Sequence, residues 1–541
     1  MQYLYLHLLA PLLLLFQDVD GTASFEVEVN VNVDVKWYNV TMISKTMATL
    51  QVVANPILNS KTSPIAATLF QNLHELQADL VRYVPWFPYP QMSVAELEPP
   101  DFDKMITSWY FAPELQQELL DTIQAVTTPT SSQDEKKRIV LNFSTQPTWM
   151  FNTTDWSYTH NNPNKANWNY PRGNWVNRKT TKLVAGYYAR LASWIVEGEF
   201  RDEFNTTIKG GPALGLDKIT HWEIFNEPEA EHALTPEQYN AMFDAIVRAI
   251  RDAVDPAHSI QFMGMALAGH HEWKWWNTFL TPQNHAPDVR DAISNGYATF
   301  HWYGKLPSRT NVSTYMEPFG KPMQDFLQEV RDIIQIRNQW SPTTKLNVNE
   351  AGVIPVHDNQ IGVPELPPIY FNMAAAVYTV LVSELSLLGV DVVGSSQFAG
   401  CTKNLLWDIP DRQYPGVSMT NWTTGAGNPR YWALKLYLEY FGPDDKIVHV
   451  TNDKEDQVFV QARISVKKQN RHVMRVVNKT DRQQSVFLCN DLVGATVHIV
   501  DETTHDGHWK SVMRFTSSVL TLERFAVAVV DTGHESEIEM D

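Results

Sequence analysis

Ile219-Thr220-His221-Trp222-Glu223-Ile224-Phe225-Asn226-Glu227-Pro228 begins as an apolar run and ends in an amide, a carboxyl and a proline. Apolar residues at helical spacing follow over 236–254, opened by Pro236 at a first-turn position, and another short apolar run comes at 260–265. A strand, a helix and a strand in that order read as one βαβ unit. The alternation continues in both directions. Strand-like runs lie at 49–53, 79–84, 138–143, 219–225, 260–265, 297–300, 345–348 and 390–393, with helix-like stretches among them at 64–76, 113–126, 179–197, 236–254, 323–338 and 370–388. Eight β-then-α units predict an α/β fold, a (β/α)8 TIM barrel, and 430–440 supplies its last helix.

Beyond residue 442 the period changes. Short runs at 458–464, 472–477, 484–488, 496–500, 511–514 and 526–530, with polar turns between them, predict a C-terminal antiparallel β-sandwich domain. The alternation over 25–35 adds an N-terminal strand to it. The expected division is a signal peptide over 1–23, a sandwich strand within 24–44, the catalytic barrel over 45–442 and the β-sandwich over 443–541.

Composition narrows the functional classes. In 541 residues, 44% hydrophobic and 19% charged side chains describe a folded, globular chain. The net charge of −18 with no segregated basic face argues against nucleic acid as a partner. The apolar run at 4–16 is too short to span a bilayer but suits a signal peptide, with Gly21-Thr22-Ala23 as cleavage residues. No later segment reads as a membrane span. Acceptors for N-glycosylation at Asn39, Asn142, Asn152, Asn205, Asn311, Asn421 and Asn478 agree with a secreted or lysosomal protein. Cys401 and Cys489 can pair in an oxidising compartment or stay as two thiols. Oligomeric state is left open.

The chemistry-bearing residues stand at strand ends. Asn226-Glu227-Pro228 closes the fourth strand, and Leu346-Asn347-Val348-Asn349-Glu350-Ala351-Gly352 places a second Glu at the end of the seventh. Catalytic groups of barrels sit at this C-terminal edge. Cleavage of a glycosidic bond needs one carboxyl to protonate the leaving oxygen and another to stabilise or attack the oxocarbenium-like centre, and Glu227 and Glu350 can supply both.

An Asn-Glu-Pro at the end of the fourth strand with a Glu ending the seventh resembles the retaining glycoside hydrolases of clan A, and the spacing is most similar to family 39, which includes β-xylosidases and α-L-iduronidases. The resemblance covers the barrel and, more loosely, the trailing strands. It implies Glu227 as acid/base, Glu350 as nucleophile and Asn226 as the amide that holds the sugar 2-hydroxyl. In Phe300-His301-Trp302-Tyr303 it implies His301 near the sugar and Tyr303 hydrogen-bonded to the nucleophile. Arg82 resembles the clan's Arg that keeps the nucleophile ionised. No cofactor is implied, and the partner is a carbohydrate or glycoconjugate.

The eighth strand departs from the pattern, because Gly394-Ser395-Ser396-Gln397-Phe398 lacks the Trp that many clan members place under the sugar; Trp407 can fill that place from the next loop. The loop 149–175, with four Trp, has a composition suited to sugar faces. Glu229, a fallback acid, and Glu231 read as loop surface, and Glu223 as a supporting hydrogen-bonding group turned into the barrel. His270-His271-Glu272 lacks metal-site spacing, so no metal is expected there. Trp273-Lys274-Trp275-Trp276 fits a sugar subsite or helix packing equally. No phosphate-binding Gly-rich loop or serine-nucleophile elbow is present. The rivals to a glycosidase are a transglycosylase using the same residues and an inactive glycan-binding barrel.

Overall fold

The computed structural model describes residues 30–129, 137–153, 166–174, 177–358, 363–400, 415–488, 493–504, 507–512 and 514–535. Eight parallel strands close into a barrel: Met47–Ala54, Leu80–Pro85, Arg138–Leu141, His221–Glu223, Gln261–Leu267, Tyr297–Leu306, Lys345–Pro355 and Val392–Ser395. They are called the first to eighth strands below. Each coincides with an expected run. The outer helices include Ala66–Leu76, Pro113–Thr127, Arg178–Glu197, Pro236–Val254, Trp273–Leu280, Lys321–Trp340, Ile369–Leu388 and Pro429–Tyr440. Helix Pro236–Val254 begins with a capping box, in which Thr235 and Gln238 bond reciprocally, as the sequence Thr-Pro-Glu-Gln allows.

The interior is layered. Leu80, Val140, Met263, Tyr297 and Val392, with Met47 against them, form an apolar plug at the starts of the strands. Side chains of a strand alternate sides, so positions two residues on from this plug also face inward. Arg82 follows Leu80, Asn142 follows Val140, and Thr299, His301 and Tyr303 follow Tyr297 in turn. The seventh strand breaks this period: a register shift against the sixth falls between Val348 and Glu350. Such a bulge re-aims a side chain. Asn349 and Glu350, adjacent in sequence, therefore both bond groups of the interior.

Glu199–Arg201 and Thr207–Lys209 pair separately, and nine further strands form one sheet. Its order is Lys510–Val512, Thr496–Val500, Val527–Glu535, Arg471–Asn478, Val458–Ser465, Lys446–Asn452, Val31–Ile43, Gln484–Phe487 and Val519–Leu522. The sequence pattern predicts a sandwich of two sheets, whereas here hydrogen bonding is continuous through all nine strands. The link is Val31–Ile43, which pairs parallel with the Val486 strand at its start and antiparallel with Lys446–Asn452 along the rest, shifting register twice on the way. Alternation records which face a residue takes, not which strand it pairs with, so this switch leaves no sequence signature. Val33, Val448, Ala462, Met474, Val476, Val497 and Val530 belong to the sheet's own apolar core.

Helix Ile369–Leu388 is long and apolar enough to cross a membrane, a length and composition the sequence reading passed over. Within its most apolar window 83% is buried inside the protein. It is apolar nearly all round because it has neighbours on both sides: Tyr378 donates to the eighth strand at Val393, and Gln461 of the sheet donates to its Ser383 carbonyl. At this seam Arg475 is buried over the rings of Tyr437 and Phe441, with centroids 4.4 and 4.2 Å away.

Candidate active site

Strand ends converge on one guanidinium. Arg82 donates through Nε to Glu223 at 2.5 Å, through Nη1 to Gln51 at 2.7 Å and Glu350 at 2.6 Å, and through Nη2 to Asn226 at 2.7 Å. Glu223, fully buried, also accepts from Asn142, Thr299 and Asn349 at 2.6, 2.6 and 2.7 Å. Its carboxylate ties strands three, four, six and seven to Arg82 on the second. The other oxygen of Glu350 accepts from the Tyr303 hydroxyl at 2.8 Å. Gln51 donates to Ser396 at 2.7 Å, leaving the Ser396 hydroxyl to donate to Tyr303 across 2.6 Å.

Glu227 is held differently. Its backbone lies in the left-handed region at φ 43°, where a non-glycine residue is strained, and its N–H donates to Ala266 of the fifth strand at 2.9 Å. Pro228 then starts a short helix, Pro228–Glu231. Glu227 Oε1 lies 2.9 Å from His301 Nδ1, which is 3.6 Å from Glu350 Oε2. Oxygens of the two carboxyls and a His301 nitrogen all fall within 4.8 Å of one another. The Glu227 side chain is 27% exposed and that of Glu350 10%, so the former meets the solvent side.

The electrostatics separate these groups. Burial alone would raise the Glu350 carboxyl, but the charges of His301 and Arg82 and the Tyr303 hydrogen bond hold it below the usual carboxylate range. Burial works against protonation of His301, yet the charge of Glu350 and the hydrogen bond to Glu227 raise it. Burial and the neighbouring Glu350 push Tyr303 far up, keeping its proton available to donate. Among the described residues a cavity of about 240 Å³ opens over these groups, lined by Glu227, Glu350, Asn226 and Tyr303 together with Trp86, Asp358 and Gln397.

Its fold is shared by solved glycoside hydrolases of families 30 and 51. The chain is similar to a family 51 arabinofuranosidase of Xanthomonas axonopodis pv. citri, at 12% identity and TM-score 0.56 over 93% of this chain and 99% of that one. It is also similar to a family 30 endoxylanase of Clostridium papyrosolvens C71, at 11% and 0.51 over 93% and 99%. An α-L-arabinofuranosidase of Thermotoga maritima gives 12% and 0.53 over the same shares. Identities this low speak to the fold alone. No family model matches the chain, and no curated protein matches it.

Of the residues expected in a clan A site, Arg82, Asn226, Glu227, His301, Tyr303 and Glu350 stand together at this mouth. Trp407, Cys401 and Cys489 lie outside the described residues, as do positions 1–29. Two Trp of the 149–175 loop that are described serve packing. Trp168 stands edge-on to Trp86 and Phe87 at 5.5 and 5.7 Å, and Trp149 donates to the Glu96 carbonyl. Trp275 and Trp276 are buried against Tyr239 and Phe300, which favours packing over a subsite. Glu229 is partly buried and accepts from the Gly269 N–H.

Glu231 corrects the sequence reading. Expected on the loop surface, it is 5% exposed and accepts from Asn226 Nδ2 and Trp86 Nε1, each at 3.1 Å. Burial, reinforced by the charge of Glu227, pushes it up to about 8, so it holds a proton at neutral pH. Asn226 is thus fixed from both ends, its oxygen by Arg82 and its nitrogen by Glu231. Asp358 was also missed; it accepts from the Gly416 N–H and from Arg309 at the cavity wall. The glycosylation acceptors divide as well. Asn142 and Asn478 are fully buried and hydrogen-bonded, so a glycan fits neither in this fold, whereas Asn39, Asn152, Asn205 and Asn311 are exposed.

Proposed function

We propose that the chain is a retaining glycoside hydrolase acting through a covalent glycosyl-enzyme intermediate. The observation that carries this reading is the pairing at one mouth of a buried Glu350, held ionised by Arg82 and Tyr303, with a more exposed Glu227. A retaining pair is about 5–5.5 Å apart and an inverting pair roughly 6.5–9.5 Å, and one oxygen from each of these two carboxyls lies within 4.8 Å of the other. Glu227, the more exposed, protonates the leaving oxygen; Glu350, held ionised by Arg82 and Tyr303, attacks the anomeric carbon as the bond to the leaving group breaks. The product of that step is a glycosyl ester on Glu350. Glu227, now deprotonated, takes a proton from water as the water oxygen attacks the same carbon, releasing the sugar and restoring the Glu350 carboxylate.

His301, hydrogen-bonded to Glu227 and within reach of Glu350, places positive charge beside the latter. Asn226 is positioned for the sugar 2-hydroxyl, and Glu231 holds that amide in place as a positioning residue. The narrower reading of family 39, a carbohydrate or glycoconjugate substrate and a route through the secretory pathway belong to the same proposal.

Incubation with a panel of activated 2-fluoro glycosides, followed by intact mass and peptide mapping, tests it. An adduct on Glu350 is expected. Wild-type turnover that survives Glu350→Gln, or an adduct on another residue, overturns the assignment. Folded wild-type protein that turns over no activated glycoside overturns the enzymatic reading in favour of glycan binding.

A further inference from the structure

The loop after the fifth strand carries His270 and His271, and helix Lys321–Trp340 brings Glu329 beside them. The sequence grouped the histidines with Glu272; folding replaces it with a carboxylate fifty-nine residues beyond His270. One ligand-capable atom from each of His270, His271 and Glu329 lies within 4.8 Å of the others. The imidazole rings stand at 87° with centroids 5.6 Å apart, so neighbours in sequence address one point from different directions.

Two details of this cluster suit a cation. Glu329 Oε2 is 2.6 Å from His270 Nε2, yet that oxygen has no hydrogen-bond partner. Two electron pairs facing at such a distance repel unless a proton or a metal ion lies between them. The second ring nitrogen of His270, Nδ1, is buried without a hydrogen-bond partner, and the backbone carbonyl of His301 faces the ring. With its proton on Nδ1 the imidazole presents its Nε2 lone pair, the tautomer that metal-ligating histidines commonly adopt. Phe326 packs edge-on against the same ring at 4.9 Å, holding its orientation.

We propose that His270, His271 and Glu329 bind a divalent transition-metal ion, with Zn²⁺ the best match, pinning the loop after the fifth strand to helix Lys321–Trp340. Two imidazole nitrogens and one carboxylate oxygen with a fourth position open to water is a common zinc set, whereas Ca²⁺ and Mg²⁺ prefer oxygen alone. Ligand atoms on a tetrahedral zinc stand roughly 3.3 Å apart, so His270 and Glu329 need to separate by less than about 1 Å. Glu227, His301 and Glu350 also lie within 4.8 Å of one another. There the Glu350 oxygens are already taken by Arg82 and Tyr303. The proposal does not rest on the glycosidase reading.

Tag-free, chelator-treated full-length protein titrated calorimetrically with ZnCl2 should bind one ion per chain. His271→Ala and Glu329→Gln should each weaken binding roughly ten-fold or more, and Glu350→Gln should leave it unchanged. Because His271 is exposed, its replacement leaves the fold intact, and zinc should raise the Tm of the wild type but not of His271→Ala. No zinc binding by wild type, equal binding by His271→Ala and Glu329→Gln, or binding lost in Glu350→Gln overturns the proposal.

Discussion

Arg82 at the barrel mouth and Arg475 at the seam between barrel and sheet are both buried, and they are kept in opposite ways. Arg82 meets two carboxylates and two amides, and the charges of Glu223 and Glu350 outweigh burial and raise it. Arg475 meets ring faces and the Gln461 amide, leaves Nε and Nη1 without partners, and is brought down to about 9 by burial and the neighbouring Arg463. One cation organises anions; the other fills space between layers. Removing a partner from a buried ion pair strands charge, whereas a buried cation without a close anion can be exchanged for an apolar chain of similar volume.

On the proposed function, the widest expected gap between the two regions is in catalysis. Glu350→Gln should lower kcat roughly 10⁴-fold or more, while Arg475→Met leaves steady-state kcat on an activated glycoside nearly unchanged. Stability should divide the same way. Arg82→Met strands Glu223 and Glu350 and should cost about 3–5 kcal/mol in urea unfolding, against about 1 kcal/mol or less for Arg475→Met. Equal losses would break the comparison.

Glu231 sharpens it through pH. Its folded pKa, about 8, lies above the ordinary 4.5 of the unfolded chain. The stability it contributes is therefore fully present below about pH 4.5 and is lost as pH rises through 8. Glu231→Gln should flatten the dependence of Tm on pH across that window and gain on the wild type at its upper end, by up to a few kcal/mol. An unchanged Tm profile would remove Glu231 from the proton inventory of the mouth. The smallest effect is an absence: glycopeptide mapping of protein from a glycosylating host should find Asn142 and Asn478 bare.

Most of the barrel was legible because most strands begin as short apolar runs and most are followed by an amphipathic helix, a purely local pattern. Glu227 and Glu350 were legible because strand ends of a barrel share one rim, whereas Arg82, Asn226, His301 and Tyr303 were implied by the resemblance to clan A. What was hidden depends on contacts between distant segments. Glu231 looks like surface because it lies in a four-residue helix; its burial comes from Trp86 on another loop. Asn349 and Glu350 turn inward together through a bulge that strict alternation cannot announce. Asn142 reads as an acceptor site, yet its amide is spent on Glu223.

The strand Val31–Ile43 sits between Lys446–Asn452 and Gln484–Phe487 in the nine-stranded sheet. During synthesis it leaves the ribosome some 400 residues before either neighbour exists, which at about 5–20 residues per second is a wait of roughly 20–80 s. For that time its backbone is an open template for foreign strands. Asn32, Asp34, Lys36 and Asn39, spaced among its valines, are the polar guards that such a wait requires. Replacing them with apolar residues should lower the soluble yield well before it lowers the stability of protein that has already folded.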